Sequence, residues 1–276
     1  MRQMGRQFAA LHPGVCCLGC FALVVLLYAV LPGETVLADM VKSLAAGGVV
    51  LAALWLLAPF YGDKLHKMPR IGFAACVWLC ATSLAAMAFW WANAPDNSEI
   101  QNSITVLPVL CVVLSCLGTA VWEEGVFRRI LPCVIAGRGS FVWPAAGKEA
   151  LLAAAVSSLF FAVLHVSLAD FASNTGLAFL RLAATFCFAF ALCAVVRFKY
   201  GLLCAIVTHA LFDMIGFIPA LMLLQTHSDE NILNTASSNL MIISSSPEFL
   251  GIVLVLCLPV CAWSVYVLVC SGKTAR

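Results

Sequence analysis

The chain has 276 residues, 63% of them hydrophobic and only 10% charged, with a formal net charge of +2 and a mean hydropathy of +1.04. A soluble domain of this composition would have to expose large apolar patches, so that class is excluded. The balanced charge, with no extended basic stripe, excludes a nucleic-acid partner.

Helical runs of about 18 to 22 apolar residues, rising about 1.5 Å per residue, cross a hydrocarbon core of roughly 30 Å. Eight such runs are predicted. The first covers about residues 14–32, behind Arg2 and Arg6, and a cleaved leader ending before Asp39 is the rival assignment of residues 1–38. The second, about 44–61, is followed by Lys64, Lys67 and Arg70; the third, about 71–92, by Asp96 and Glu99. The fourth, about 104–127, ends in VWEEGVFRR, and Arg128, Arg129, Arg138 and Lys148 separate it from the fifth, about 149–168. Asp170 leads to the sixth, about 176–196, and Arg197 and Lys199 to the seventh, about 200–223. Asp229 and Glu230 lie between the seventh and the eighth, about 248–270, and Lys273 and Arg276 end the sequence. Basic residues thus favour alternate connections, which predicts a multi-pass cell-membrane protein with both termini cytoplasmic. The expected fold is all-α and polytopic, with residues 1–276 forming one integral membrane domain in the lipid bilayer.

The fourteen cysteines lie nearly all within these runs, where thiols pack as small hydrophobes. Cys16, Cys17 and Cys20 include a CxxC, but no second ligand pair at zinc spacing follows, so a structural metal is not expected.

An ionisable side chain at membrane depth is unfavourable by several kcal/mol and calls for a compensating role. Arg181 lies near the end of its span, where its stem is expected to snorkel to the interface. Glu124 and Arg128 are four apart with the acid first, the favoured spacing for an ion pair. Glu123 is rotated about 100° from Glu124, so the two carboxylates are expected to serve different partners. Phe161 and His165 share a face of the fifth span, and His209 and Asp213 a face of the seventh, where Asp213 can fix the imidazole tautomer. His165 taken alone fits a packing residue bonded to a backbone carbonyl as well as it fits a catalytic one.

These groups suit metal-dependent hydrolysis, metal-free activation of water, proton relay or redox metal binding. HExxH is absent, as are the Glu-x-x-His pairs of di-iron bundles and a GxSxG elbow. What remains is a carboxylate and an imidazole acting on water, with a second imidazole to support an oxyanion; the reaction class is peptide hydrolysis. Two His and a Glu would also hold zinc with an open position, so metal use stays open.

EEGVFR fits EExxxR, FAVLH fits FxxxH and HALFD fits HxxxN/D, in that order. In this the chain resembles the CAAX-processing and bacteriocin-processing protease family, the glutamic intramembrane endopeptidases that include the type II CAAX prenyl endopeptidase. The resemblance covers about residues 104–222, the expected protease core. It implies an intramembrane endopeptidase without a cofactor, acting on a membrane-associated protein or peptide precursor. Glu123 and His165 would activate water, and His209 and Asp213 would support the oxyanion. Glu124, Arg128 and Phe161 would support the site. Asp213 departs from the Asn of the prenyl endopeptidase; an ionised Asp cannot donate a hydrogen bond, so Asp213 is expected to orient His209. The site is expected to open toward the cytoplasm. A catalytically silent scaffold or immunity factor, and a proton-coupled transporter, are the competing functions.

Overall fold

A computed structural model of the chain describes residues 2–31, 36–57, 67–93, 106–137, 143–144, 146–224 and 246–270. The helices are α1 (Arg2–Leu11), α2 (Pro13–Val30), α3 (Val36–Leu57), α4 (Arg70–Asn93) and α5 (Val106–Glu124). A π-helical turn, Gly125–Ile130, continues α5 into the short α6 (Leu131–Ile135). There follow α7 (Lys148–Leu164), α8 (Leu168–Ser173), α9 (Thr175–Val195), α10 (Gly201–Leu224) and α11 (Pro247–Cys270). No strand occurs among the described residues, and the protein is an all-α polytopic membrane protein.

Among the described residues six helical segments are long and apolar enough to cross a membrane: Pro13–Val30, Leu37–Leu56, Arg70–Trp90, Val109–Ile135, Thr175–Val195 and Pro247–Cys270. The fifth predicted run corresponds to α7, of 17 residues, and the seventh to α10, where Gly201–Phe217 is a shorter apolar helix. Helix α1 was not expected. Pro13, with no amide proton, opens α2 at its first turn and separates it from α1.

Two apolar clusters organise the bundle. One joins α4, α7, α9, α10 and α11 through residues such as Leu79, Ala154, Leu192 and Cys257. The other joins α1, α2, α3 and the π turn through Ala9, Val24, Val50 and Ile130, and extends to Phe161 of α7 and Ala189 of α9. Helix α9 is central, with 56% of its span buried, whereas α2 is peripheral with 11%. The exposed apolar side chains of α2, such as Leu18, Leu23 and Leu26, are suited to lipid tails.

Helices α3 and α5 pack closely because glycine removes the side chain at the crossing. A Cβ on Gly118 would lie 2.5 Å from the Ser43 carbonyl carbon and 2.7 Å from the Leu44 nitrogen. A Cβ on Gly125 would lie 2.3 Å from Cγ1 of Val50. Ser43 accepts the close approach with polar contacts, 3.2 Å to the Ser115 hydroxyl and 3.1 Å to those of Thr119 and Tyr28.

The cysteines are free thiols, and Cys20, Cys111, Cys116, Cys193 and Cys257 are buried as packing residues.

Candidate active site

The site forms where α5 stops being an α-helix. In a π turn the backbone bonds close over five residues instead of four, which disturbs the carbonyl ladder. The Phe127 carbonyl accepts from the Ser157 hydroxyl of α7, and the Arg128 carbonyl accepts from the Trp143 indole N–H at 2.7 Å. Neither Ser157 nor Trp143 was singled out in the sequence, because carbonyl partners of a π turn leave no spacing signature.

Glu124 and Arg128 form the expected ion pair at 3.3 Å, both side chains fully buried. The Arg128 guanidinium carbon also lies 4.4 Å from the centre of the Phe161 ring. Phe161 is therefore a hub: its ring centre is 5.3 Å from Phe127, 4.3 Å from His165 and 5.9 Å from His209.

His165 follows the last residue of α7. Its Nδ1 is 2.8 Å from the Phe161 carbonyl, an acceptor only, so Nδ1 carries the proton and Nε2 presents its lone pair. That Nε2 faces Glu123, 4.0 Å from Oε2. His165 is thus both bonded to a backbone carbonyl and turned toward a carboxylate.

His209 stands between both glutamates. Its Nδ1 is 2.8 Å from Glu124 Oε1, and its Nε2 is 3.6 Å from Glu123 Oε2 and 3.5 Å from Asp213 Oδ2. Two expectations need correction here. Glu123 and Glu124 do share a partner, because an imidazole offers two nitrogens on opposite edges and reaches carboxylates 100° apart on a helix. The carboxylate that fixes the ring through Nδ1 is Glu124, while Asp213 lies on the Nε2 side. Glu123 is 7% exposed, and its Oε2 is buried without a hydrogen-bond partner.

Beside these groups is a cavity of about 210 Å³, lined by His165, His209 and Asp213 together with Arg181, aromatic residues such as Phe188 and Phe212, and aliphatic ones such as Val253. Arg181 is not snorkelling. It lines this cavity with 14% of its side chain exposed, and its Nη1 donates to Asp170 Oδ1 at 3.4 Å. Asp170 is itself fixed by a capping box with Ser167 at the start of α8, and the Ser167 amide holds its carboxyl below the ordinary carboxylate range. The spacing Ser167-x-x-Asp170 was a readable signal for that box.

The cavity is lined from the end of α7, the first halves of α9 and α11, and the middle of α10. Lys148, Arg197 and Lys199 lie at the opposite ends of α7, α9 and α10. The expectation of a site open toward the basic, cytoplasmic face does not agree with this geometry. The reason is that α7 begins at Lys148 and carries His165 about 26 Å away from that end.

Among the described residues no group of three or more His, Cys, Asp or Glu side chains is arranged to hold a metal ion. Residues 105–215 match the family model described as type II CAAX prenyl endopeptidase Rce1-like. The match spans less than half of the chain. The matched segment begins one residue before α5, ends just beyond Asp213 and contains Glu123, Glu124, Arg128, His165, His209 and Asp213. No curated protein and no solved structure matches the chain.

Proposed function

We propose that the protein is a glutamic intramembrane endopeptidase that hydrolyses a peptide bond in a membrane-tethered protein or peptide precursor, with Glu123 and His165 activating the water. The observation that supports this most directly is the buried, unpartnered Oε2 of Glu123, within 4.0 Å of His165 Nε2 and 3.6 Å of His209 Nε2.

In the proposed reaction a water donates one hydrogen bond to Glu123 and one to the lone pair on His165 Nε2. Glu123 takes the proton as the water oxygen bonds to the scissile carbonyl carbon. The resulting oxyanion accepts from His209 Nε2–H, and because Nδ1–H is already given to Glu124, the donating ring carries both protons. Glu123 then returns its proton to the amide nitrogen as the C–N bond breaks, leaving a free amine and a carboxylic acid, whose proton passes to His165 Nε2 as the acid ionises. Asp213 holds the Nε2–H of His209 in place before substrate arrives, the role proposed for an Asp where an Asn would donate.

The test is cleavage of a membrane-anchored peptide by purified protein in detergent. Glu123→Gln and His165→Ala are each expected to reduce kcat by at least about 10²-fold, as is typical for loss of a general base. Chelation with prolonged dialysis is expected to leave the rate unchanged, with no stoichiometric metal by elemental analysis. Full cleavage by Glu123→Gln protein would overturn the proposal, and loss of activity on chelation would overturn its metal-free form.

A further inference from the structure

The π turn beside the site follows from a proline. Pro132, the second residue of α6, is buried and has no amide proton, and its ring crowds the carbonyl four residues before it, that of Arg128. α winding is therefore unfavourable here, and the Leu131 amide reaches back to the Val126 carbonyl, five residues away, instead of to that of Phe127. The amide five residues beyond Phe127 would be that of Pro132, which has no proton to give. Pro132 likewise denies Arg128 its α-helical donor. Two consecutive carbonyls in a buried segment thus need donors from elsewhere in the chain.

The Ser157 hydroxyl of α7 donates to the Phe127 carbonyl, and the Trp143 indole N–H to that of Arg128 at 2.7 Å. Both donors are buried, and the segment carrying Trp143 is tied to α11 by the Gly147 amide, 2.8 Å from the Leu268 carbonyl.

We propose that Ser157 and Trp143 are positioning residues, which hold the π turn in the winding that directs both imidazoles toward Glu123. This rests on the protease reading above. Arg128 lies within the turn and is linked to both rings. Its ion pair with Glu124, at 3.3 Å, steadies the carboxylate that holds His209 Nδ1. Its guanidinium also lies against Phe161, whose carbonyl accepts from His165 Nδ1. A return to α winding would turn the residues beyond the extra one by about 100° about the helix axis, and Arg128 could not keep both contacts. Ser157 belongs to the helix that ends next to His165, so the element that carries one imidazole also fixes the winding that locates the other.

The experiment compares two neighbouring serines that are equally buried. Ser157 bonds the turn, whereas the Ser158 hydroxyl lies 3.6 Å from Cys193 Sγ of α9. Alanine at either position removes one hydroxyl from the same helix. With a membrane-anchored peptide as substrate, at a temperature where each variant is folded by its melting curve, Ser157→Ala is expected to lower kcat roughly tenfold with KM unchanged, the lower end of the effect of loosening a group that orients a histidine. Ser158→Ala is expected to keep the wild-type kcat. Trp143→Phe keeps an aromatic ring but not the N–H; it is expected to lower kcat in the same way, and it carries the test should Ser157→Ala not fold. Equal kcat in the two serine variants, a Ser157→Ala loss confined to KM, or full turnover by Trp143→Phe would overturn the positioning role while leaving the protease reading intact. Absence of Glu123-dependent cleavage by the wild-type protein would overturn the protease reading, and the positioning role with it.

Discussion

At the scale of single residues, the site depends on how His209 is held. Glu124 accepts from its Nδ1 at 2.8 Å and is itself paired with Arg128 at 3.3 Å, so one buried carboxylate ties the ring to α5. Glu124→Gln keeps the shape but removes the charge; kcat is expected to fall about 10- to 100-fold, the usual effect of losing a carboxylate that orients a histidine. Arg128→Ala leaves Glu124 buried without its counter-charge and is expected to destabilise the fold by about 3 to 5 kcal/mol, measurable by thermal unfolding in detergent. A Glu124→Gln protein with unaltered turnover would show that Glu124 does not orient the ring. The residues of the site were legible in the sequence because each acid or imidazole inside a span demands an explanation. Their pairing was less legible. Helical rotation says where a carboxylate points, but not that a ring from another helix enters between two of them.

At the scale of elements, the device that brings α5 to the site is its glycine-lined crossing with α3 and the π turn beyond it. The Cβ of Gly118→Ala would meet Ser43 and Leu44 backbone, which cannot rotate away, so the helices must separate. The expected destabilisation is about 1 to 3 kcal/mol. Activity is expected to fall with it, because the same crossing sets the position of Glu123 five residues on; unchanged melting and turnover would remove this role from the crossing. Helical periodicity located α5, α7, α9 and α10 from hydrophobic runs alone. It did not reveal the π turn, since five-residue winding depends on partners such as Ser157 and Trp143 from elsewhere in the chain. Helix α1 was missed for a different reason. Met4, Phe8 and Leu11 recur at helical spacing and stand exposed, but ten residues that include two Arg and two Gln make no apolar run.

At the scale of the whole molecule, the cavity lies toward the opposite ends of α7, α9 and α10 from Lys148, Arg197 and Lys199. Asn174, which caps α9, lies at the cavity end, while α11 carries the chain to Cys270 at the other. A reporter fused after Cys270 and an impermeant thiol reagent directed at Asn174→Cys, in a variant with its exposed native cysteines replaced, are therefore expected to report opposite sides of the membrane. Labelling from the reporter's own side would contradict the arrangement of the helices. Charge bias in the loops could give orientation but not the depth of the site, because depth depends on where each helix starts and stops.

The brevity of α7 has a consequence for the surrounding lipid. Its 17 residues reach only about 26 Å, short of a hydrocarbon layer of roughly 30 Å, and Phe160, Val163 and Leu164 stay exposed near its final turn. Local thinning of the bilayer at that final turn would accommodate the mismatch and would bring headgroups and solvent beside His165. Acyl chain length then becomes a control on turnover: vesicles of short-chain phosphatidylcholine are expected to support faster hydrolysis than long-chain ones at equal protein content, and indifference to chain length would rule such a local depression out.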